Sequence, residues 1–275
     1  MNKYNDILNN WQAPEGKSSD QAWADLQSRL NRAPVAEAKV VRFSWKPMVS
    51  VAAAAAIIVG LILLWPNQTL QEVATANGEH QTVTLPDDSR ADLNASSSIA
   101  FVDSWSDARE VKLSGQAFFE VVKGGTFHVV TRQGLVEVLG TSFDVFDRDN
   151  TFEVTCRTGK VRVTANGTDA EIVPGFRATL TNGKLEVSQF DLALADWRSG
   201  EFHYTEAPLA AVFEEIERQF SVKMQVPDLA NRFYTGRFNT KDLNEALQLV
   251  CLPMGLQFEV NETTIVVSEK ENNER

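Results

Sequence analysis

Between Pro47 and Pro66 lies the run MVSVAAAAAIIVGLILLW, Met48 to Trp65, with no charge and a single hydroxyl, Ser50. As a helix it is about 27 Å long, close to the hydrocarbon thickness of a bilayer. Trp65 stands at its end, where an indole reaches the headgroup layer. The run predicts one transmembrane helix over 47–66, dividing a small domain from a large one. A buried helix of a soluble protein would also be apolar all round. A signal peptide cut near Ala74-Thr75-Ala76 is a further alternative, but its basic start is short, and here 46 residues come first. Lys39, Arg42 and Lys46 precede the run, and the first cation after it is Arg90. Excess Lys and Arg marks the cytoplasmic side. The expected topology is residues 1–46 inside and residues 67–275 outside.

Charge divides along the same line. The formal net charge is −11; residues 1–46 carry 7 Lys+Arg against 5 Asp+Glu, and residues 67–275 carry 19 against 32. An acidic outer region excludes nucleic acid and anionic lipid as its natural partners, so no direct nucleic-acid binding is expected. Two cysteines, Cys156 and Cys251, do not make a disulfide framework. They read as separate buried thiols.

Residues 1–46 read as a small helical tail. Tyr4, Ile7, Leu8 and Trp11 share one helical face. After a break at QAPEGKSS, Ser18 with Gln21 can form a capping box, and Trp23, Leu26 and Leu30 make a second apolar stripe. Two short helices bury little surface. The stripe therefore reads either as a weak hairpin packed on itself or, preferably, as a docking surface with tryptophan anchors.

From His80 to Ser188 short alternating runs such as HQTVTL, REVKL, AFFEVV and KVRVT are separated by turn signals, among them Pro86-Asp87-Asp88, Asn166-Gly167 and Asn182-Gly183. That spacing predicts an all-β sandwich, barrel or β-roll over 67–190. Residues 191–275 change again. Pro208 opens a helix bearing Leu209, Val212, Phe213, Ile216 and Phe220; Gly236-Arg237-Phe238 echoes Gly200-Glu201-Phe202; and Thr240 caps a second helix. This predicts a duplicated β-α-β in a small α+β domain, with a disordered tail. The expected fold class is thus multi-domain: helical tail, one transmembrane helix, an all-β sandwich or β-roll, and an α+β unit.

No catalytic constellation emerges. His80, His128 and His203 stand alone on predicted strands, without metal-ligand spacing. Gly140-Thr141-Ser142-Phe143-Asp144 lacks the second glycine of a nucleophile turn and reads as a corner. Asp147, Asp149 and Asn150 lack the glycine and closing glutamate of a calcium loop. No cofactor is expected, and the chain does not read as an enzyme.

The strand region nevertheless has a specific pattern. Leu85-Pro86-Asp87-Asp88-Ser89, Asp92-Leu93-Asn94-Ala95-Ser96-Ser97, the stretch Arg109 to Val121, Phe127-His128-Val129 and Val138 to Val145 resemble the FecR family, membrane-spanning regulators of ECF-type sigma factors. The C-terminal unit is similar to secretin/TonB short N-terminal domains. Asp88 and Gln116 depart from the family, which often has glycine and glutamate there; Asp tolerates the left-handed conformation. The resemblance implies a transmembrane anti-sigma factor in the inner membrane, N-terminus cytoplasmic and C-terminus periplasmic. Tyr4, Ile7, Leu8, Trp11, Trp23, Leu26 and Leu30 would hold the sigma factor away from RNA polymerase. The periplasmic signalling domain of an outer-membrane TonB-dependent receptor would supply the signal, and an intramembrane protease would free the tail in some systems. The last hairpin, Leu256–Val260 with Thr263–Ser268, is terminal in the chain and so a candidate sheet edge. Thr264, Val266 and Ser268 on it are the expected receptor-docking row. A membrane-anchored periplasmic scaffold without sigma-factor activity, and a carbohydrate- or wall-acting enzyme, are the alternatives.

Overall fold

The computed structural model describes residues 16–32, 69–105, 109–192 and 196–270. The chain divides into two units, residues 1–65 and 66–275. In the first unit the helix α1 (Ser19–Arg32) stands on an N-terminal cap: the Gln21 amide donates to Ser18 Oγ at 3.4 Å and the Ala22 amide to the Ser18 carbonyl at 2.9 Å. Asp25 pairs with Lys17 at 3.2 Å and Arg29 at 3.8 Å along its polar side.

The second unit opens with thirteen strands. They are β1 (Leu70–Ala74), β2 (Gln81–Thr84), β3 (Arg90–Leu93), β4 (Ser98–Val102), β5 (Arg109–Glu120), β6 (Phe127–Val130), β7 (Leu135–Val138), β8 (Ser142–Arg148), β9 (Thr151–Cys156), β10 (Val161–Ala165), β11 (Thr168–Ile172), β12 (Phe176–Thr181) and β13 (Lys184–Gln189). The long β5 joins everything. Its first half pairs with β4 and β6, its second half with β3 and β8. From β6 the ladder runs through β7 and β10 to β11; from β8 it runs through β9 and β12 to β13. The end strands β11 and β13 touch, so the sheet curls nearly into a barrel. Gly115, φ +101°, sits where β5 passes between halves; a Cβ there would lie 2.6 Å from Ser97 Oγ. Alternation fills the interior with Val111, Leu113, Ala117, Phe119, Phe127, Phe143, Val145, Phe152 and Val154, all buried. Phe119 and Phe143 stack with centroids 5.3 Å apart. Asp88 adopts φ 64° in the β2–β3 turn.

Beyond a 3-10 turn at Trp197–Ser199, the C-terminal part runs β14 (Glu201–Pro208), α2 (Leu209–Phe220), β15 (Lys223–Gln225), β16 (Phe233–Asn239), α3 (Leu243–Cys251), β17 (Leu256–Asn261) and β18 (Thr264–Glu269). β14 pairs antiparallel with β16, placing the echoed phenylalanines opposite each other; the Phe202 and Phe238 rings stack at 5.0 Å. The other sheet has the order β15-β18-β17. Leu209, Val212, Phe213 and Ile216 from α2 and Ala246, Leu247 and Val250 from α3 form one buried cluster with strand residues. Asp242, not Thr240, caps α3, its carboxylate accepting the Glu245 amide at 2.9 Å. Cys156 and Cys251 are free and buried in different cores.

The expected fold class needs correction. The described residues are mostly strand, and one curled thirteen-stranded sheet dominates rather than a sandwich or roll standing beside a membrane helix. Alternation shows which face of a strand is buried but not its partners, so the continuity through β5 is invisible in sequence. Among the described residues no helix is long and apolar enough to cross a membrane, and the single-pass inner-membrane placement is not supported. The run Met48–Trp65 lies outside the described residues. Its length and lack of charge state what could enclose it, not what does.

Candidate functional site

On α1, Trp23, Leu26 and Leu30 are 64%, 48% and 68% exposed, and no residue of the helix is buried. Large apolar side chains exposed together at helical spacing make this face a candidate binding surface. Tyr4, Ile7, Leu8 and Trp11 lie outside the described residues.

Thr264, Val266 and Ser268 lie on β18 and point away from the core, while Ile265 and Val267 point into it. The edge expected of this hairpin falls on β17 and not on β18. β18 is the central strand, paired with β15 over Thr264–Val266 and with β17 along its whole length. The end of a chain need not be the edge of a sheet: β15, earlier in sequence, closes that side. The three residues remain an outward row on a sheet face, and the edges of this sheet are β17 and the short β15.

A third feature had no sequence signal. Where the thirteen-stranded sheet meets the C-terminal part, a chain of side-chain hydrogen bonds crosses the seam. The Trp197 indole donates to Asp144 Oδ2 at 2.6 Å. Gln116 Nε2 donates to Asp144 Oδ1 at 2.8 Å, and its Oε1 accepts from Asn94 Nδ2 at 2.8 Å. Asn94 Oδ1 accepts from Gln219 Nε2 at 2.7 Å, which also donates to Glu215 Oε1 at 2.7 Å. Glu215 in turn pairs with Arg218 at 2.9 Å. Burial raises the pKa of Asp144, and the bonds from Trp197 and Gln116 oppose that rise. Glutamate at position 116 would set a second carboxylate against Asp144; glutamine supplies a donor instead.

Around this chain, His80 meets Trp197 edge-on at 5.6 Å, and Arg198 lies 3.6 Å over Phe118 and 3.6 Å from Asp92. Phe118 faces outward from β5 and joins the C-terminal core. Arg148 holds the loop after β3 by donating to the Ser96 carbonyl at 2.9 Å, and burial pushes its pKa down to about 10. Two clefts flank the seam. One of about 850 Å³ is lined by Arg148, Asp149, Glu214, Arg218 and Lys223 among others, and one of about 360 Å³ by Arg157, Arg177, Phe190 and Tyr204 among others. Among the described residues no cluster of His, Cys, Asp or Glu is arranged to hold a metal ion. His128 lies 3.4 Å from Glu137 on an outer sheet face, and His203 lies on β14.

The sequence matches two family models, FecR protein over residues 71–162 and FecR, C-terminal over residues 201–267. Two crystal structures are similar, each of a candidate anti-sigma factor from Parabacteroides distasonis ATCC 8503. The one at 2.50 Å resolution has TM-score 0.69 and 29% identity over 74% of this chain and 100% of its own. The one at 1.65 Å has TM-score 0.67 and 29% identity over 73% of this chain and 100% of its own. No curated protein sequence matches the chain. With FecR models matching residues 71–162 and 201–267 and both structural neighbours described as anti-sigma factors, the chain belongs to the FecR family of sigma-factor regulators.

Proposed function

We propose that the protein is an anti-sigma regulator that sequesters an ECF-type sigma factor through residues 1–46 and releases or activates it on a signal from a TonB-dependent receptor. It acts by binding, without catalysis. Tyr4, Ile7, Leu8 and Trp11 with Trp23, Leu26 and Leu30 form the sigma-binding surface. Residues 67–190 and 191–275 receive the signal, the latter docking the receptor's signalling domain on the sheet face that carries Thr264, Val266 and Ser268. The observation that carries this reading is the exposed apolar stripe of α1, on a helix with no buried residue. The family membership and the anti-sigma description of both neighbours support it.

The test is recovery of an ECF sigma factor with the tagged full-length chain, wild type against Trp23→Ala. Recovery by the wild type with loss in the variant is expected. Equal recovery by both would remove the stripe from the interaction. Failure of every ECF sigma factor to bind would leave a scaffold without sigma-factor activity.

A further inference from the structure

The end of α2 rests on the turn that follows β1. The Gly78 amide donates to the Arg218 carbonyl at 2.7 Å, and His80 Nε2 lies 3.0 Å from Gln219 Oε1. Gly78 takes φ +74° to make this contact. One side chain further in, Gln219 donates to Asn94. The C-terminal part therefore grips two segments of the large sheet, the 76–80 turn and the 94–97 loop.

Those same two segments hold the end of β1. The Thr75 amide donates to the Ser97 carbonyl at 2.8 Å, and the Thr75 hydroxyl donates to the Asn94 carbonyl at 2.6 Å. The Ser97 amide donates back to Thr75 Oγ1 at 3.0 Å, and the Ser96 amide to the Ala76 carbonyl at 3.1 Å. Thr75 is buried, whereas β1 itself is exposed at four of its five positions, with only Val73 packed on the core. Among the described residues β1 pairs on one side only, with β4. Little apolar burial and a single ladder make such a strand the first to open, unless its end is pinned.

We propose that the C-terminal part is a latch on β1: seated on the 76–80 turn and the 94–97 loop it keeps β1 zipped to β4, and lifting away it lets β1 peel. The seam suits this use. It is crossed by polar contacts and flanked by clefts of about 850 and 360 Å³, so it separates at lower cost than a continuous apolar interface would. β1 is the strand that leads back along the chain toward residues 1–65. A partner that binds the C-terminal part better when it is undocked therefore changes the state of β1 by its difference in affinity. The device goes beyond the sigma-factor reading and does not depend on it.

A cross-link tests it. A Cβ at Gly78 would lie 3.6 Å from Ser221 Cβ, inside the disulfide range. The full-length Gly78→Cys/Ser221→Cys variant is compared with itself, oxidised and reduced, so any cost of the substitutions cancels. Hydrogen exchange is read on a peptide covering 69–76, with a β8–β9 peptide as reference. Oxidation should slow exchange at 69–76 by about fivefold or more and leave the reference unchanged, because only local opening is blocked. Gln219→Ala, which removes the bonds to Asn94 and His80, should speed 69–76 by about fivefold or more in an otherwise native protein. Equal exchange at 69–76 in the oxidised and reduced forms would overturn the latch. So would an unchanged rate in Gln219→Ala. Loss of sigma-factor binding would not bear on either result.

Discussion

Replacing Trp197 with phenylalanine isolates one bond of the seam. The ring against His80 survives; the indole N–H that donates to Asp144 Oδ2 at 2.6 Å does not. Asp144 is partly buried and lines the cleft of about 360 Å³, so water softens the loss only in part. A hydrogen bond to a charged group contributes about 1.5–3 kcal/mol, and partial exposure with the retained Gln116 bond keeps the loss at the lower end, so at neutral pH the variant should lose about 1.5–2 kcal/mol. The loss must depend on pH, with a definite sign. Burial raises the folded-state pKa of Asp144 above its ordinary value of 3.8. Stability from such a group is fully present below the unfolded-state pKa and is lost as pH rises through the folded one. Removing a donor to the carboxylate raises the folded pKa further. The deficit of Trp197→Phe relative to wild type should therefore be small near pH 4 and grow as pH rises past the folded pKa of wild-type Asp144. Urea unfolding of both proteins across that range, followed by circular dichroism, measures it. A deficit that is the same at every pH would refute the assignment of Asp144 as the buried charge held by Trp197.

Other expectations follow from single contacts. Trp23→Ala should weaken sigma-factor binding by about 2 kcal/mol or more in a titration, as central aromatic anchors do, with the melting temperature unchanged because the side chain is exposed. Asp242→Ala removes the cap of α3 and should cost about 1 kcal/mol in thermal unfolding. Gly115→Ala forces a Cβ to within 2.6 Å of Ser97 Oγ at φ +101° and should cost about 2 kcal/mol or more, read the same way. Val266→Arg places a charge on an outward sheet face and should abolish receptor-domain binding while the folded state persists; retained binding would remove that row from the docking surface.

How far these features could be read in the sequence depends on the distance over which the chemistry acts. The α1 stripe was legible because Trp23, Leu26 and Leu30 repeat at helical spacing, and the same local period gives the buried faces of α2 and α3. Alternation gave strand faces, but β5 serving both halves of the sheet was not legible, since period 2 carries no pairing information. Position in the chain misled at β18, where an earlier strand, β15, covers what the order of residues makes an end. The seam was least legible. Asn94 and Gln219 are 125 positions apart, and each taken alone is an ordinary polar residue. Their role exists only where the two apolar clusters meet in the folded chain.

That composition has a physical consequence. Each core is built of apolar side chains, and among the described residues Phe118 is the one from the large sheet that joins the smaller cluster. Hydrogen bonds and ion pairs that water can replace when the surfaces part also cross the seam. Burying more aromatic area at the seam would strengthen docking, about 25 cal/mol for each Å² removed from water. It would also remove the small free-energy gap that a bound partner could overturn, since coupling between sites is typically only 1–3 kcal/mol. A seam of polar groups, closed around one half-buried carboxylate and one indole, keeps the docked and undocked arrangements within reach of a binding event. A regulator that reports on a partner needs that more than it needs rigidity.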